Sequence, residues 1–370
     1  MKILFSSRQF EGMAGGVERM SIAMMNDLIR RGHDVELVSL DRSSSTTFFP
    51  IDSAIVWHRL NLGDPTQKAT IGTVLRRLRA FRTIVVASRP HVIIGFQQGA
   101  YFSAAVASIG LGIPVIAAER NAPQRFEHLK DGHGRNFQFQ SFRLARQVTV
   151  QLESYRAHYP RFLKDKITVI PNPVTGRDCS ADPIGLPQTR KKILCVARLS
   201  FQKNQSVLIK AFARIAYKFP EWDLLLVGGG EDYEALSLEA SRLLPVGRVE
   251  LVGAKTDVEP YFLSSQLFCL PSRWEGFPNA LAEAMSYGLP SVGFEGCAGV
   301  NELIVHGETG LLAKGAGDEE ELSGALATLM SSPESRQSFG RAARAAVAHF
   351  APENIFKRWE ELFVGLGEQR

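Results

Sequence analysis

Two successive runs of short apolar segments, each alternating with stretches of helical periodicity, constrain this chain more than any other feature. In the first run the apolar segments fall at Lys2–Phe5, Val35–Leu40, His91–Phe96, Pro114–Ala118, Val148–Gln151 and Ile167–Ile170. A second run follows at Lys192–Ala197, Trp222–Val227, Val249–Val252, Leu267–Leu270, Pro290–Phe294 and Gly310–Ala313. Helical patterns separate them. Gly16–Arg31 places Val17, Met20, Met24 and Leu28 on one face, with Gly32 to end it. Another helix is predicted from about Gln205 to Phe219, and helices fill the chain from about Asp318 onward. Strands alternating with helices imply parallel sheets covered on both faces.

Pro171-Asn-Pro-Val ends the first run with two prolines, and residues 175–190, polar and rich in Pro and Gly, read as a linker. A chain of 370 residues is also too long for one ordinary core. The expected architecture is α/β: two Rossmann-like, doubly wound domains, 1–175 and 190–350, facing each other across a cleft. The C-terminal helix, about 352–370, is expected to pack back on the first domain. In such sheets ligands bind at the carboxyl ends of the strands, so the chemistry is sought in the loops that follow them.

Composition narrows the setting. Hydrophobic residues at 45% and charged residues at 22% give the balance of a globular protein. MKILFSS is too short for a signal-peptide core, and the longest apolar stretch, 104–118, is broken by Ser108, Gly110, Gly112 and Pro114. The expectation is a cytoplasmic protein, neither secreted nor integral. Cys179, Cys195, Cys269 and Cys297 form no CxxC pair, which suits a reducing compartment better than metal ligation or a disulfide. The net charge of +5 is uneven: residues 1–180 carry +10 and the remainder −5.

The most informative loop runs from Leu270 through Pro-Ser-Arg-Trp-Glu-Gly-Phe-Pro-Asn-Ala-Leu-Ala-Glu to Ala284 and on to Gly288. It reads as strand end, loop and helix, with Pro278 in the helix's first turn. The N–H groups around Asn279, Ala280 and Leu281 are then orphan donors at a positive helix end, suited to a phosphate. Glu275 stands before that helix and Glu283 inside it. One carboxylate can face a cleft while the other accepts from a diol. The plainer alternative makes Glu275 a helix-start acid and Glu283 a solvated surface residue.

The string Glu275-Gly-Phe-Pro-Asn-Ala-Leu-Ala-Glu283 resembles the glutamate-x7-glutamate motif of retaining glycosyltransferases of family 4, which have the GT-B fold. The resemblance implies that Glu275 contacts a donor sugar, that Glu283 contacts the ribose, and that Gly276, Phe277, Pro278, Asn279, Ala280 and Leu281 hold a diphosphate. Cys195-Val-Ala-Arg198-Leu-Ser-Phe-Gln-Lys203-Asn204 is similar to the family's segment with an arginine and a lysine five apart. Arg198 and Lys203 would neutralise a departing diphosphate; the alternative is two solvated cations. The chain has no Asp-x-Asp sequence and no ligand-spaced His/Cys/carboxylate cluster, so no cofactor or metal is expected and positive charge must come from the protein.

Gly12-Met-Ala-Gly15-Gly16-Val17-Glu18-Arg19 stands where the family carries its N-terminal glycine loop, which implies that Gly15 and Gly16 lie near donor phosphate or acceptor; a plain turn is the alternative. After the 114–118 strand comes Glu119-Arg120-Asn121. Many relatives have a sugar-contacting histidine there, and Arg120 takes its place, making Arg120 and Asn121 cleft residues unless they belong to a buried structural ion pair. Gly228-Gly229-Gly230 and Gly253-Ala-Lys255 are expected to line the nucleoside pocket, with Glu302 opening a later helix. His33 and His306 look structural.

Leu75, Leu78, Phe81 and Val85 form an apolar helical stripe flanked by Arg76, Arg77, Arg79, Arg82 and Arg89, describing either a core-facing or an interfacial helix. Arg125, Phe126, Lys130, Arg135, Phe137, Phe139, Phe142 and Arg143 add a second basic-aromatic stretch. The expected partners are a nucleotide-sugar donor, a glycan or lipid-linked acceptor and, reversibly, an anionic membrane surface, placing the protein at the membrane's inner face. No nucleic-acid module is present. The expected activity is retaining, metal-independent transfer of a hexose or N-acetylhexosamine, UDP-sugar favoured over GDP-mannose as donor, in polysaccharide or glycoconjugate assembly. The rivals are a nucleotide-sugar epimerase and a non-catalytic sugar-binding protein on the same fold.

Overall fold

The computed structural model describes residues 1–13, 15–129 and 132–368. The chain divides into two compact units: Met1–Pro173 together with Pro352–Arg370, and Val174–Ala351.

The first unit contains one parallel sheet of β1 (Lys2–Ser6), β2 (Asp34–Ser39), β3 (Val56–Arg59), β4 (Val92–Phe96), β5 (Val115–Ala118), β6 (Gln147–Val150) and β7 (Ile167–Val169). Their order is β3-β2-β1-β4-β5-β6-β7. The second unit repeats the plan with β8 (Lys191–Val196), β9 (Trp222–Val227), β10 (Val249–Gly253), β11 (Leu267–Leu270), β12 (Ser291–Phe294) and β13 (Gly310–Ala313), ordered β10-β9-β8-β11-β12-β13 and again parallel. These are the two doubly wound, Rossmann-like α/β sheets expected from the alternating pattern. The central strands explain why the pattern is legible: every residue of β4, β5, β11 and β12 is buried, and apart from Ser291 in β12 these segments carry no polar side chain. Each sheet reverses its winding at its first strand, between β1 and β4 and between β8 and β11. Open α/β sheets bind ligands outside those points.

β3 was not expected. It is an edge strand, Val-Trp-His-Arg, with Val56 half exposed, so its sequence carries no apolar run.

Helix α1 (Gly16–Arg30) buries Met20, Met24 and Leu28 as expected, and Gly32 follows at φ 82°. Helix α2 (Ile71–Ser88) is capped by Thr70, whose side chain accepts from Thr73 N–H. Only the C-terminal half of its stripe is core: Phe81 and Val85 are buried, while Leu75 is 49% exposed. Helix α3 (Gln97–Ala107) follows β4 directly. The basic-aromatic stretch is divided likewise. Phe126, Phe139 and Phe142 are buried and Phe137 is exposed, whereas Lys130 lies outside the described residues.

Residues 175–190 contain no helix or strand, yet they are packed down on the second unit. Ala181 N–H donates to the Tyr287 carbonyl at 2.8 Å. Arg336, fully buried, donates to the carbonyls of Pro183 (2.7 Å), Leu329 (2.6 Å) and Met330 (2.9 Å), and its guanidinium lies 4.9 Å from the Trp222 ring centroid. Pro and Gly exclude regular elements from a segment, not packing. The C-terminal helix Pro352–Gly367 belongs to the first unit, burying Ile355, Phe356, Trp359 and Phe363. Glu360 on it accepts from Arg31 and His33 at 3.0 and 2.7 Å.

All four cysteines are free, three of them buried; burial pushes the Cys195 thiol up to about 12. Among the described residues no helix is long and apolar enough to cross a membrane.

Candidate functional site

The site-bearing loops of the second unit converge on the reversal between β8 and β11. Gly228 and Gly230 follow β9 so closely against the loop after β8 that a Cβ on either would overlap a carbonyl, of Ala197 and Leu199 respectively. No residue but glycine fits. Leu199 N–H donates to Gly229 O and Gly228 N–H to Gly253 O, both at 2.9 Å, which sets the loops after β8, β9 and β10 side by side. Lys255, two residues on, is exposed.

Arg198 is exposed in the first of these loops, its carbonyl accepting from Gln205 Nε2 at 2.9 Å. Among the described residues no hydrogen bond or ion pair engages its guanidinium. Lys203 ends the same loop and crosses the reversal point. Its Nζ lies 2.6 Å from Glu275 Oε1, and Ser272 Oγ donates to the same oxygen at 2.6 Å. Glu275 is buried, 4% exposed, so the ammonium and hydroxyl supply charge compensation that water does not. The two loops are sewn together. Asn204, at φ 57°, donates to Pro271 O (3.3 Å) and accepts from Arg273 (2.8 Å), while Gln202 Nε2 donates to Trp274 O (2.8 Å).

The helix after Glu275 spans Asn279–Ser286 and has no side-chain cap. The Asn279 N–H is not an orphan as expected, because it donates to Phe277 O at 2.8 Å. The N–H groups of Ala280 and Leu281 take no partner among the described residues. Pro278 precedes the helix and Phe277, buried, packs its ring edge-on to Phe350 at 5.6 Å. Gly276 is partly exposed between them. Glu283 accepts from Arg177 at 2.5 Å, and the same guanidinium reaches Glu259 at 3.4 Å and lies 4.8 Å from the Tyr287 ring centroid. Sequence reasoning missed Arg177 because its composition placed it in a linker, and missed Ser272 although it lies in the motif-bearing loop.

Gly15, Gly16 and Arg120 belong to the first unit. Gly15 is the exposed cap of α1, with Glu18 beside it, and burial raises the Glu18 carboxyl above its usual range. Ala14 in this loop lies outside the described residues. Arg120 requires a correction. It is 4% exposed and donates to Thr149 Oγ1 (2.7 Å) and Ile170 O (3.3 Å), with its guanidinium 5.3 Å from the Trp359 ring centroid. Burial lowers it to about 10. Both terminal nitrogens donate inside the fold, and the buried Nε has no hydrogen-bond partner. Glu119 is consumed as well, by Arg125 (3.2 Å), Gln138 and the N–H groups of Arg120 and Asn121, so this trio reads as a structural network. Among the described residues no three His, Cys, Asp or Glu side chains group as metal ligands.

Residues 15–173 match the glycosyl transferase 4-like domain, and residues 177–346 match glycosyl transferases group 1. A glycosyltransferase of Haemophilus influenzae that is itself uncharacterized is 29% identical over 368 residues, covering 94% of this chain and 96% of its own. Sucrose-phosphate synthase from Thermosynechococcus elongatus has the same fold, with a TM-score of 0.83 at 20% identity over 100% of this chain and 99% of that one. Anabaena HepE, solved in complex with UDP and glucose, superposes with a TM-score of 0.76 at 22% identity over 98% of this chain and 99% of that one. With two adjoining family matches spanning almost its whole length, the chain belongs to the group 1, family-4-type glycosyltransferases of GT-B fold.

Proposed function

We propose that this glycosyltransferase moves a hexose or N-acetylhexosamine from a nucleotide diphosphate sugar to a glycan acceptor carried on a lipid, with retention of anomeric configuration and without a metal. The observation that carries the reading is the Lys203–Glu275 pair beside the unpaired Arg198 and the open N–H groups of Ala280 and Leu281. Two cations and two amide donors on neighbouring loops suit the charge that grows on a diphosphate as its bond to the anomeric carbon breaks. The acceptor hydroxyl attacks the same face, and its proton passes to the leaving phosphate. Glu275 orients the sugar while Glu283, already positioned by Arg177, takes the ribose hydroxyls. Gly229 and Lys255 border the base, and Gly15 and Gly16 stand near the donor phosphates or acceptor. Arg120 supports the fold of the first unit.

UDP is the favoured nucleotide, a choice supported by the complexes of HepE, with GDP-mannose the other candidate. The first 180 residues carry +10, which favours reversible contact with an anionic membrane at about 1 kcal/mol for each basic residue near the surface.

The test is release of nucleoside diphosphate from a panel of UDP- and GDP-sugars, with and without a membrane-lipid extract and with a chelator present. Release that requires the extract supports transfer. Isomerised sugar nucleotide formed without any acceptor would replace transfer with epimerisation, and no turnover with any donor would refute the reading.

A further inference from the structure

The first unit contains a cavity of about 340 Å³ at the carboxyl ends of β1 and β2, closed over by the N-terminal half of α2 and bordered by the start of α3. That size falls within the range of ligand pockets, about 300–1,000 Å³. Its position, beside the reversal between β1 and β4, is where an open α/β sheet receives ligands.

Its lining has two characters. Val38, Leu40, Leu60, Leu78 and Phe81 supply an apolar wall. Arg8, Lys68 and Arg77 supply cations, and no carboxylate lies within ion-pairing distance of either arginine among the described residues. Arg8 Nε donates to Pro65 O at 2.9 Å, while Arg77 donates to Leu62 O at 2.8 Å and Asp64 O at 3.4 Å. These carbonyls aim the two guanidinium groups and use only part of their five donors each. Burial and the neighbouring Arg8 both depress the Arg77 guanidinium from its usual value, and the Asp64 carboxylate offsets them only in part. Two like charges thus face one apolar wall with no carboxylate ion-paired to either among the described residues. The first turns of α2 expose Ile71 (82%), Val74 (43%) and Leu75 (49%), of which Val74 lines the cavity, so an apolar surface leads into it.

We propose that this cavity binds an anionic lipid, a phosphate on Arg8, Arg77 and Lys68 with its hydrocarbon chain along Val38, Leu78 and Phe81. This inference rests on the transfer reading above and assigns to it the class of acceptor, a glycan carried on a phosphate-linked lipid. Apolar wall and paired cations together select an amphiphile over a free sugar, which satisfies neither.

The full chain is titrated calorimetrically with dodecyl phosphate below its micellar concentration, with inorganic phosphate and dodecanol in separate arms and no nucleotide present. Dodecyl phosphate is expected to bind at least a hundred-fold tighter than inorganic phosphate and at least ten-fold tighter than dodecanol. Arg77→Gln is expected to weaken it at least ten-fold. Gly99→Leu fills the cavity from α3, at a position where a Cβ meets nothing within 4 Å, and is expected to weaken binding at least ten-fold with an unchanged melting temperature. Equal affinity for the alkyl phosphate and inorganic phosphate, or wild-type binding by Gly99→Leu, overturns the proposal. Nucleoside diphosphate release is measured in parallel. Release without alkyl phosphate binding defeats the cavity assignment alone, whereas binding with no release under any donor defeats the transfer reading.

Discussion

Lys203 Nζ lies 2.6 Å from Glu275 Oε1, joining the loops that leave β8 and β11 on the two sides of the sheet's reversal. Glu275 is buried and accepts from Lys203 and Ser272 on one oxygen, and Lys203 in turn is fixed in place by the carboxylate. The pair acts as a unit. Glu275→Gln and Lys203→Met are each expected to lower the initial transfer rate by about a hundred- to a thousand-fold. The double variant should lose at most about ten-fold more, because groups acting together are not additive. Steady-state assays with circular dichroism as a folding control check this, and a near-normal rate in either single variant removes the pair from the chemistry.

Asn204 combines a left-handed backbone with two side-chain bonds that tie the loops after β8 and β11. Asn204→Gly keeps the backbone at little cost but loses both bonds, whereas Asn204→Ala also strains the left-handed residue by about 1–2 kcal/mol. Both variants should lose transfer, and Asn204→Ala should melt below Asn204→Gly. The same melting temperature for both would mean that the backbone conformation contributes nothing.

Arg336 binds the strap around Pro183 to the helical layer through four carbonyls. Arg336→Met removes the donor from the buried carbonyls of Leu329 and Met330 and should destabilise the second unit by about 2–4 kcal/mol in urea titration. A loss below about 0.5 kcal/mol would show that the strap is not anchored there.

Glu360 joins the C-terminal helix to α1, and the His33 hydrogen bond, with Arg31 adding to it, lowers its carboxyl from the usual value. A depressed carboxyl stabilises the folded state fully above its unfolded value, about 4.3, and that contribution disappears as pH falls through the folded value. Glu360→Gln should therefore be less stable than the wild type at pH 6, by under about 1 kcal/mol for so exposed a pair and with a slightly lower melting temperature, and match the wild type near pH 3. A deficit that persists in acid would contradict the assignment.

Legibility followed burial. β11, Leu-Phe-Cys-Leu, is buried at every position and could be read directly, whereas β3 at the edge could not. In α2, spacing identifies the stripe but not where it leaves the core, so it leaves open whether Leu75, 49% exposed, faces the core or an interface. Arg198, Lys203 and Glu275 stand out because segments that follow strand ends resemble the family's motifs, and the structure brings Lys203 and Glu275 into contact. Arg120 follows a strand end too, but its acceptors, Thr149 and Ile170, lie 29 and 50 residues away, and no local pattern reports that. Arg177 was hidden for the same reason, its partner Glu283 being 106 residues distant.

The central claim is that protein charge alone binds the diphosphate. Isothermal titration of UDP and GDP into the wild type and Arg198→Ala, in EDTA and again in excess magnesium, measures it most directly. The account predicts that the wild type binds one of the two nucleotides equally well in both buffers and that Arg198→Ala binds it at least ten-fold more weakly. Binding that appears only with magnesium, or an Arg198→Ala affinity equal to the wild type's, would contradict it.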